Sequence, residues 1–191
     1  MSLFIQARNC GPVRPADPVN LIVIHTMEAP EKPNTAKNVA MWFASAQAPQ
    51  ASAHYCIDAE EIVQCVLETV VAWAAPGANK EGIHLEHAGY AKQSASDWSD
   101  AYSTRMLERS AALAADIARR HQVPLVRLTA ADLRTPGVRG FTGHVDVTNG
   151  RNGGKGHTDP GVDFPWDRYL ELISNFLRPT DPPPPPSDEI A

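Results

Sequence analysis

A run of four apolar residues, Leu21-Ile22-Val23-Ile24, constrains the fold of this chain more than any other segment. Short apolar runs rich in β-branched residues are typical of a strand buried on both faces, and such a strand needs helices on both sides of its sheet. Further strands are predicted at residues 52–57, 62–67 and 83–87, and helices at 35–46, 103–121 and 166–177. This alternation predicts an α/β fold with a mixed central β-sheet flanked by helices.

The segments between these elements are expected to be irregular. Prolines interrupt residues 1–19, and residues 130–142 have a loop-like composition. Asn34 or Thr35 is expected to cap the first helix. The buried side of that helix is predicted to hold Val39, Trp42, Phe43 and Ala46.

The composition is that of a globular domain, with 191 residues, 43% hydrophobic and 20% charged. A net charge of −5 argues against a basic surface for nucleic acid. No apolar run is long enough for a transmembrane helix. The N-terminus lacks the pattern of a secretory signal, so we expect synthesis in the cytoplasm. Cys10, Cys56 and Cys65 are predicted to be buried thiols, and an oxidised pair of Cys56 and Cys65 on one hairpin is the alternative.

The C-terminal segment differs from the rest of the chain. Residues 179–191 contain five consecutive prolines with acidic residues on either side, a composition that favours an extended polyproline II spacer. Two interpretations are open, a disordered end and a linker to a further domain, and the proline run favours the linker. We therefore expect a folded domain at residues 1–178 and a Pro-rich linker or tail at 179–191.

Two His-Asp pairs lie near the C-terminal end of the predicted domain. His144 and Asp146 form the first pair, His157 and Asp159 the second, and both are expected in a glycine-rich loop. Imidazole nitrogens and carboxylate oxygens are ligands that zinc prefers. His25, at the end of the predicted buried strand, is the best further donor, although alone it would be read as a core histidine. Two histidines and one carboxylate leave one position open, as in catalytic zinc sites.

Six short motifs extend this picture along the chain. They are Val23-Ile24-His25-Thr26, Ser52-Ala53-His54-Tyr55, Ala72-Trp73, Ile83-His84-Leu85-Glu86-His87-Ala88-Gly89, Gly143-His144-Val145-Asp146 and Thr158-Asp159-Pro160-Gly161. In this order they resemble the zinc N-acetylmuramoyl-L-alanine amidases of the type 2 amidase and peptidoglycan-recognition family, over residues 20–177. The stretch from Gly89 to Trp98 is most similar to amidase domains of endolysins from phages of actinobacteria.

The resemblance implies that Zn²⁺ is held by His25, His144 and Asp159, and that Glu86 is the catalytic residue. A carboxylate beside the metal can take a proton from the attacking water and pass it to the leaving amine. The alternative for Glu86 is an exposed strand residue in a salt bridge.

Strand alternation places the two histidines of the Glu86 motif on opposite faces. His84 shares the face of Glu86, and we expect it to bind substrate or to tune Glu86. His87 faces the other side, as a packing or surface residue.

The chain departs from the family at two positions. Many relatives have a lysine two residues before the aspartate ligand, where this chain has His157, with Lys155 two residues earlier. Either could stabilise the oxyanion of the tetrahedral intermediate; position favours His157, and a hydrogen bond within the loop is an equal alternative for it. Ala53 stands where some relatives place a catalytic tyrosine, so the chain resembles the glutamate-using branch. Asp146 is expected to orient a ligand histidine or to cap the loop backbone.

Substrate contacts are expected from several polar and aromatic residues. His54, Trp73 and Asn79 join His84 as candidates for the groove, and His54 has a structural role as its alternative. Trp42 is a weaker groove candidate, because its helical spacing favours the core. Weak candidates for contacts with the stem peptide are Thr26, Arg151 and Asn152.

The sequence therefore predicts a zinc-dependent hydrolase that cleaves the amide bond between N-acetylmuramic acid and L-alanine of peptidoglycan stem peptides, as the lytic domain of a phage endolysin. We expect a monomer that acts on the cell wall after release, without nucleic acid or membrane insertion, and with a wall-binding domain beyond the linker. The alternative is a peptidoglycan-recognition module without catalysis, but such relatives typically lack a zinc ligand. A zinc peptidase of another class is disfavoured, because no His-Glu-x-x-His pattern is present.

Overall fold

The computed structural model describes residues 3–14, 19–151 and 156–178. The predicted linker or tail, Asn152 and Lys155 lie outside the described residues. The strands are β1 (Leu3–Phe4), β2 (Leu21–Thr26), β3 (Tyr55–Ile57), β4 (Ile62–Gln64), β5 (Gly82–His87) and β6 (Gly140–Gly143). The helices are α1 (Thr35–Ala44), α2 (Ala101–His121), α3 (His144–Arg151) and α4 (Trp166–Leu177), with short 3-10 turns at Asp97–Ser99 and Asp132–Arg134. Within the described residues no helix combines the length and the apolar character needed to cross a bilayer.

The six strands form one mixed sheet in the order β1-β4-β3-β5-β2-β6. Strands β3 and β4 form an antiparallel hairpin, and the other neighbours are parallel. Strand β2 lies between β5 and β6 and is buried at every residue, as its apolar run predicts. It extends to Thr26, so His25 lies inside the strand rather than after it. The predicted α/β fold with a mixed sheet is confirmed.

Helices cover both faces of this sheet. On one face Ile22, Ile24, Ile83 and Leu85 pack against apolar residues of α2 and α4. On the other face the sheet packs against α1 at one end and against α3 at the other. The cluster with α1 includes Ala36, Ala40, Phe43, Cys56 and Val63. The cluster with α3 includes Leu21, Val23, Leu128 and Val147. Full burial of each large apolar side chain contributes about 1.5–3 kcal/mol. The second face keeps a gap between its two clusters, where the polar side chains of β2 and β5 lie.

The first helix differs from its prediction in its buried side and in its cap. Its fully buried residues include Ala36, Ala40 and Phe43, spaced by four and three positions, whereas Trp42 is 48% exposed. The small alanines allow α1 to approach the sheet, and this places Trp42 outside the core. Asn34 has a left-handed backbone (φ 63°) and no capping side-chain bond, and the Thr35 hydroxyl donates to the Pro30 carbonyl instead.

Three regions that were expected to be irregular contain regular structure. Leu3–Phe4 pairs with β4, and Gly140–Gly143 forms β6 at the end of the predicted loop 130–142. Residues 144–151, expected as loop, form helix α3. Glycines at both ends of β6 hide its strand character, and its partner β2 supplies the pairing. Cys56 and Cys65 are buried free thiols with their sulfur atoms 3.7 Å apart.

Candidate metal and catalytic site

Three side chains from distant parts of the chain meet at one end of the sheet. His25 comes from β2, His144 begins α3 directly after β6, and Asp159 lies in the segment before α4. Asp159 Oδ2 is 3.1 Å from His25 Nδ1, and Asp159 Oδ1 is 3.2 Å from His144 Nδ1. One potential ligand atom of each residue lies within 4.8 Å of the others, and all three residues are buried. This arrangement could hold a metal ion.

The polypeptide backbone brings these segments together. Strands β2 and β6 are hydrogen-bonded neighbours, so their side chains emerge side by side. The Val145 N–H donates to the Asp159 carbonyl at 2.9 Å, which joins the start of α3 to the Asp159 segment. Gly143 permits this approach, because a β-carbon there would lie 2.7 Å from Pro160 Cδ.

The protonation tendencies of His25 and Asp159 suit a cation. Burial lowers the pKa of His25, which favours the neutral imidazole that binds metals. Burial alone would raise the pKa of Asp159, but hydrogen bonds from His144 and His25 hold it well below its ordinary value. His144 Nε2 is buried and has no partner within the described residues. Two imidazoles and one carboxylate match the donor set that zinc prefers.

Glu86 stands directly beside His25 on the neighbouring strand. The two residues are paired in register between β2 and β5. Glu86 Oε2 is buried and has no hydrogen-bond partner within the described residues. Burial, followed by the negative charge of Asp159, raises the pKa of Glu86 well above its ordinary value. A carboxylate held in this way is a strong proton acceptor beside the possible metal position.

His84 and His54 lie beneath this site. His84 is fully buried, and its Nδ1 is 3.1 Å from His25 Nε2. His54 is also fully buried, accepts the His84 backbone N–H at Nδ1, and stacks on the His84 ring at a centroid distance of 5.6 Å. Neither side chain reaches the surface in this structure, and a contact of His54 or His84 with substrate stays a prediction. The alternation argument that put His84 on the face of Glu86 agrees with the structure.

His87 lies on the other face of β5 as a buried packing residue. Its Nδ1 is 3.0 Å from the His25 carbonyl and its Nε2 is 2.6 Å from Ser110 Oγ. Burial lowers the pKa of His87 to about 4.

The remaining member of each His-Asp pair, His157 and Asp146, has its own surroundings. His157 is exposed and stacks on the His144 ring at a centroid distance of 3.8 Å. Burial and the neighbouring His144 lower the pKa of His157. Asp146 accepts the Gly143 and Ala130 backbone N–H groups and pairs with Arg127 at 2.6 Å. Of the two alternatives for Asp146, backbone capping is therefore the one that the contacts show.

A cavity of about 480 Å³ opens beside Glu86. Its lining consists of Thr26, Met27, Asn38, Val39, Trp42, Phe43 and Glu86. The prediction that Trp42 belongs to the core is wrong, because its side chain is about half exposed. The alternative prediction, that Trp42 lies at a groove, agrees with the structure. The helical spacing of Trp42 could not reveal this, because the rotation of α1 depends on its contact with the sheet.

The other predicted contact residues are engaged within the protein. Asn79 Oδ1 accepts the backbone N–H groups of Ala74 and Ala75 and so shapes the loop before β5. Trp73 is partly buried and its backbone N–H donates to Ser52 Oγ. Arg151 pairs with Glu81, and the Thr26 hydroxyl donates to Glu28. Arg127, which the sequence did not single out, stacks on the Trp166 ring at 3.8 Å while it pairs with Asp146.

Known proteins with similar sequences and folds point to one enzyme family. N-acetylmuramoyl-L-alanine amidase A of Achromobacter lyticus is 33% identical over 160 residues, which cover 80% of this chain and 82% of that protein. The hydrolase AmiA of Staphylococcus aureus, solved with its ligand, has a TM-score of 0.64 at 17% identity and covers 91% of this chain and 80% of its own. The endolysin amidase LysCS of Clostridium intestinale has a TM-score of 0.59 at 14% identity, and the match covers 91% of this chain and 95% of LysCS. At these identities the solved structures show the fold alone.

The family model described as Amidase_2, N-acetylmuramoyl-L-alanine amidase, matches residues 15–162, which is most of the chain. The model and the Achromobacter relative agree on the activity, and the predicted enzyme class is confirmed. The chain belongs to the Amidase_2 family of N-acetylmuramoyl-L-alanine amidases.

Proposed function

We propose that this amidase is zinc-dependent and that it cleaves the bond between the lactyl group of N-acetylmuramic acid and L-alanine of the stem peptide. One observation carries the proposal: His25, His144 and Asp159 meet with possible ligand atoms within 4.8 Å, and Glu86 pairs in register with His25. In this proposal these three residues hold Zn²⁺. Bound zinc would polarise the amide carbonyl and lower the pKa of water.

Glu86 moves the proton in this proposal. Its carboxylate accepts a proton from the attacking water and later gives it to the nitrogen of the leaving L-alanine. The raised pKa of Glu86 makes it a stronger base and lets it hold the proton until it transfers that proton to the leaving nitrogen as the C–N bond breaks. In this proposal His157 donates a hydrogen bond to the oxyanion, which its exposure and its stacking on His144 support, and Lys155 is the alternative donor.

The apolar cavity beside Glu86 is a suitable position for part of the stem peptide or the sugar. Trp42 offers a large exposed ring there, and Met27 and Val39 add apolar surface. Peptidoglycan is thus the proposed substrate, with hydrolysis in the wall as the biological outcome.

Mass spectrometry of digested cell walls tests the bond that is cleaved. Zinc-loaded protein is expected to release stem peptides with a free L-alanine amino terminus, and the products should vanish after chelation and return with zinc. A new amino terminus inside the stem would contradict the proposal, as would binding of walls without hydrolysis.

We further propose that the enzyme acts as the lytic domain of a phage endolysin. The support is the similarity of its fold to the LysCS endolysin amidase and the resemblance of the Gly89 to Trp98 stretch. Expression inside an actinobacterial host tests this: lysis is expected only when a membrane pore is co-expressed. Failure to lyse with the pore, while isolated walls of the same host are digested, would contradict the endolysin role.

A further inference from the structure

His84 is a buried histidine whose presence packing does not explain. It is fully enclosed beneath the site, and its Nε2 has no hydrogen-bond partner within the described residues. An unpartnered buried polar atom costs about 1–3 kcal/mol, so an apolar side chain would serve the core better. The side chain has no exposed surface in this structure.

The contact that His84 makes is with His25. His84 Nδ1 lies 3.1 Å from His25 Nε2, while the opposite nitrogen of His25, Nδ1, faces Asp159 Oδ2 at 3.1 Å. If Nδ1 binds the metal, it must carry no proton, and the remaining proton of the neutral ring is then on Nε2. That proton points at His84 Nδ1.

The surroundings hold the His84 ring in this orientation. Its backbone N–H donates to His54 Nδ1, and the His54 ring stacks on it with an interplanar angle of 14°. On another side, a β-carbon on Gly82 would lie 2.9 Å from His84 Nε2, so glycine leaves the space that the imidazole occupies. A ring fixed in this way can fix its partner.

We infer that His84 is a positioning residue for the metal site: its Nδ1 accepts a hydrogen bond from the Nε2–H of His25 and thereby holds His25 Nδ1 toward the cation. The inference rests on the proposed function, because it requires His25 to be a zinc ligand. The ring nitrogen of a ligand histidine that does not bind the metal commonly donates its N–H to a carboxylate or a carbonyl. Here the imidazole of His84 takes the place of that acceptor.

Zinc affinity, measured by competition with a chelator, tests the inference in the full chain. His84→Leu removes the acceptor and is expected to weaken zinc binding about 10–100-fold, the usual effect of losing such a partner. His84→Asn has a similar size, keeps an acceptor near the Nδ1 position, and should stay within about threefold of the wild type. The control for a general loss of stability is Thr142→Val on β6. It removes the buried hydrogen bond from the Thr142 hydroxyl to the Leu128 carbonyl and should leave zinc affinity unchanged.

The outcomes separate this inference from the proposed function. Equal losses in His84→Leu and His84→Asn, or no loss in His84→Leu, overturn the role of the acceptor. If instead the wild type binds no zinc, or His25→Ala binds zinc as tightly as the wild type, the proposed ligand set fails.

Nitrogen NMR of the zinc-loaded wild type gives a second readout that needs no variant to fold. The expected spectrum shows a protonated Nε2 in His25 and an unprotonated Nδ1 in His84. A protonated His84 Nδ1 would overturn the inference.

Discussion

The two faces of strand β5 place histidines in opposite circumstances. On one face, His87 has both ring nitrogens engaged, with the His25 carbonyl and with Ser110, whose hydroxyl contacts Tyr169 at 2.7 Å. On the other face, His84 Nε2 and Glu86 Oε2 are buried without partners within the described residues. Both faces are buried, but only on the face of His87 do these polar side-chain atoms have hydrogen-bond partners.

This difference separates polar groups that maintain the fold from polar groups that are held ready for a ligand. Native proteins pair nearly all buried polar atoms, so a cluster of unpaired atoms around His25 indicates a site. His144 Nε2 adds a third unpaired atom at the same place. Four variants can test the distinction.

The largest effect is expected from Glu86→Gln on the unsatisfied face. It removes the proton acceptor and should lower kcat about 10²–10⁴-fold, as is typical for the loss of a general base. Hydrolysis of purified walls measures this, with zinc content as the check that the site remains. Glu108→Gln, a matched change on the exposed side of α2, should leave kcat unaltered. A Glu86→Gln enzyme with wild-type turnover would remove Glu86 from the mechanism.

On the satisfied face, His87→Leu should damage the fold and spare the site. It removes the hydrogen bonds of the imidazole to the His25 carbonyl and the Ser110 hydroxyl, at a cost of about 2–3 kcal/mol in the free energy of unfolding. Urea denaturation of the metal-free protein gives this value. Ser110→Ala, which keeps the imidazole, should cost less. A loss of zinc affinity in His87→Leu without a loss of stability would show that His87 serves the site rather than the fold.

Both faces contribute to acid sensitivity, the site-bearing face through His54 and the other through His87, whose pKa burial also lowers. Burial, followed by the charge of Arg14, lowers the pKa of His54 to about 3 in the folded protein, against 6.5 ordinarily. Between these values the unfolded chain binds the extra proton, so stability present above pH 6.5 is lost as the pH falls. From pH 7.5 to pH 5 the loss from this group is about 2 kcal/mol.

Urea unfolding at the two pH values measures that loss. His54→Asn keeps an acceptor for the His84 N–H but does not titrate, so its stability should fall by about 2 kcal/mol less than that of the wild type. An identical pH dependence in both proteins would show that His54 does not contribute to the acid sensitivity.

The smallest effect is expected at the mouth of the site. Trp42→Ala removes an exposed ring that lines the cavity beside Glu86 and should raise KM about fivefold, equivalent to about 1 kcal/mol of binding. Met41→Ala changes the neighbouring exposed residue, which is not among the cavity residues, and is the matched control. Equal KM values in both variants would place the substrate elsewhere.

The sequence predicted those parts of the molecule that local patterns determine. The apolar run before His25 identified β2, and alternation along β5 put His84 and Glu86 on one face and His87 on the other. The candidate ligands His25, His144 and Asp159 could be named because residue type and motif order indicate them, and the structure brings them together.

Other features depend on contacts between distant segments. Strand β6 has glycine at both ends and exists because β2 pairs with it, and the burial of His84 and His54 follows from their mutual stacking. The rotation of α1, which exposes Trp42, is set by how closely Ala36 and Ala40 approach the sheet. Periodicity within one segment carries no information on such approaches.

Gly143 has a practical consequence for anyone who wishes to engineer a more heat-resistant variant. Replacing glycine by alanine is a common strategy, since it reduces the freedom of the unfolded chain. Gly143 would pass a filter based on backbone angles, because it is not among the glycines with positive φ. The methyl group would nevertheless meet Pro160, the neighbour of Asp159, at 2.7 Å. A design that gained rigidity there would push apart the two segments that carry His144 and Asp159.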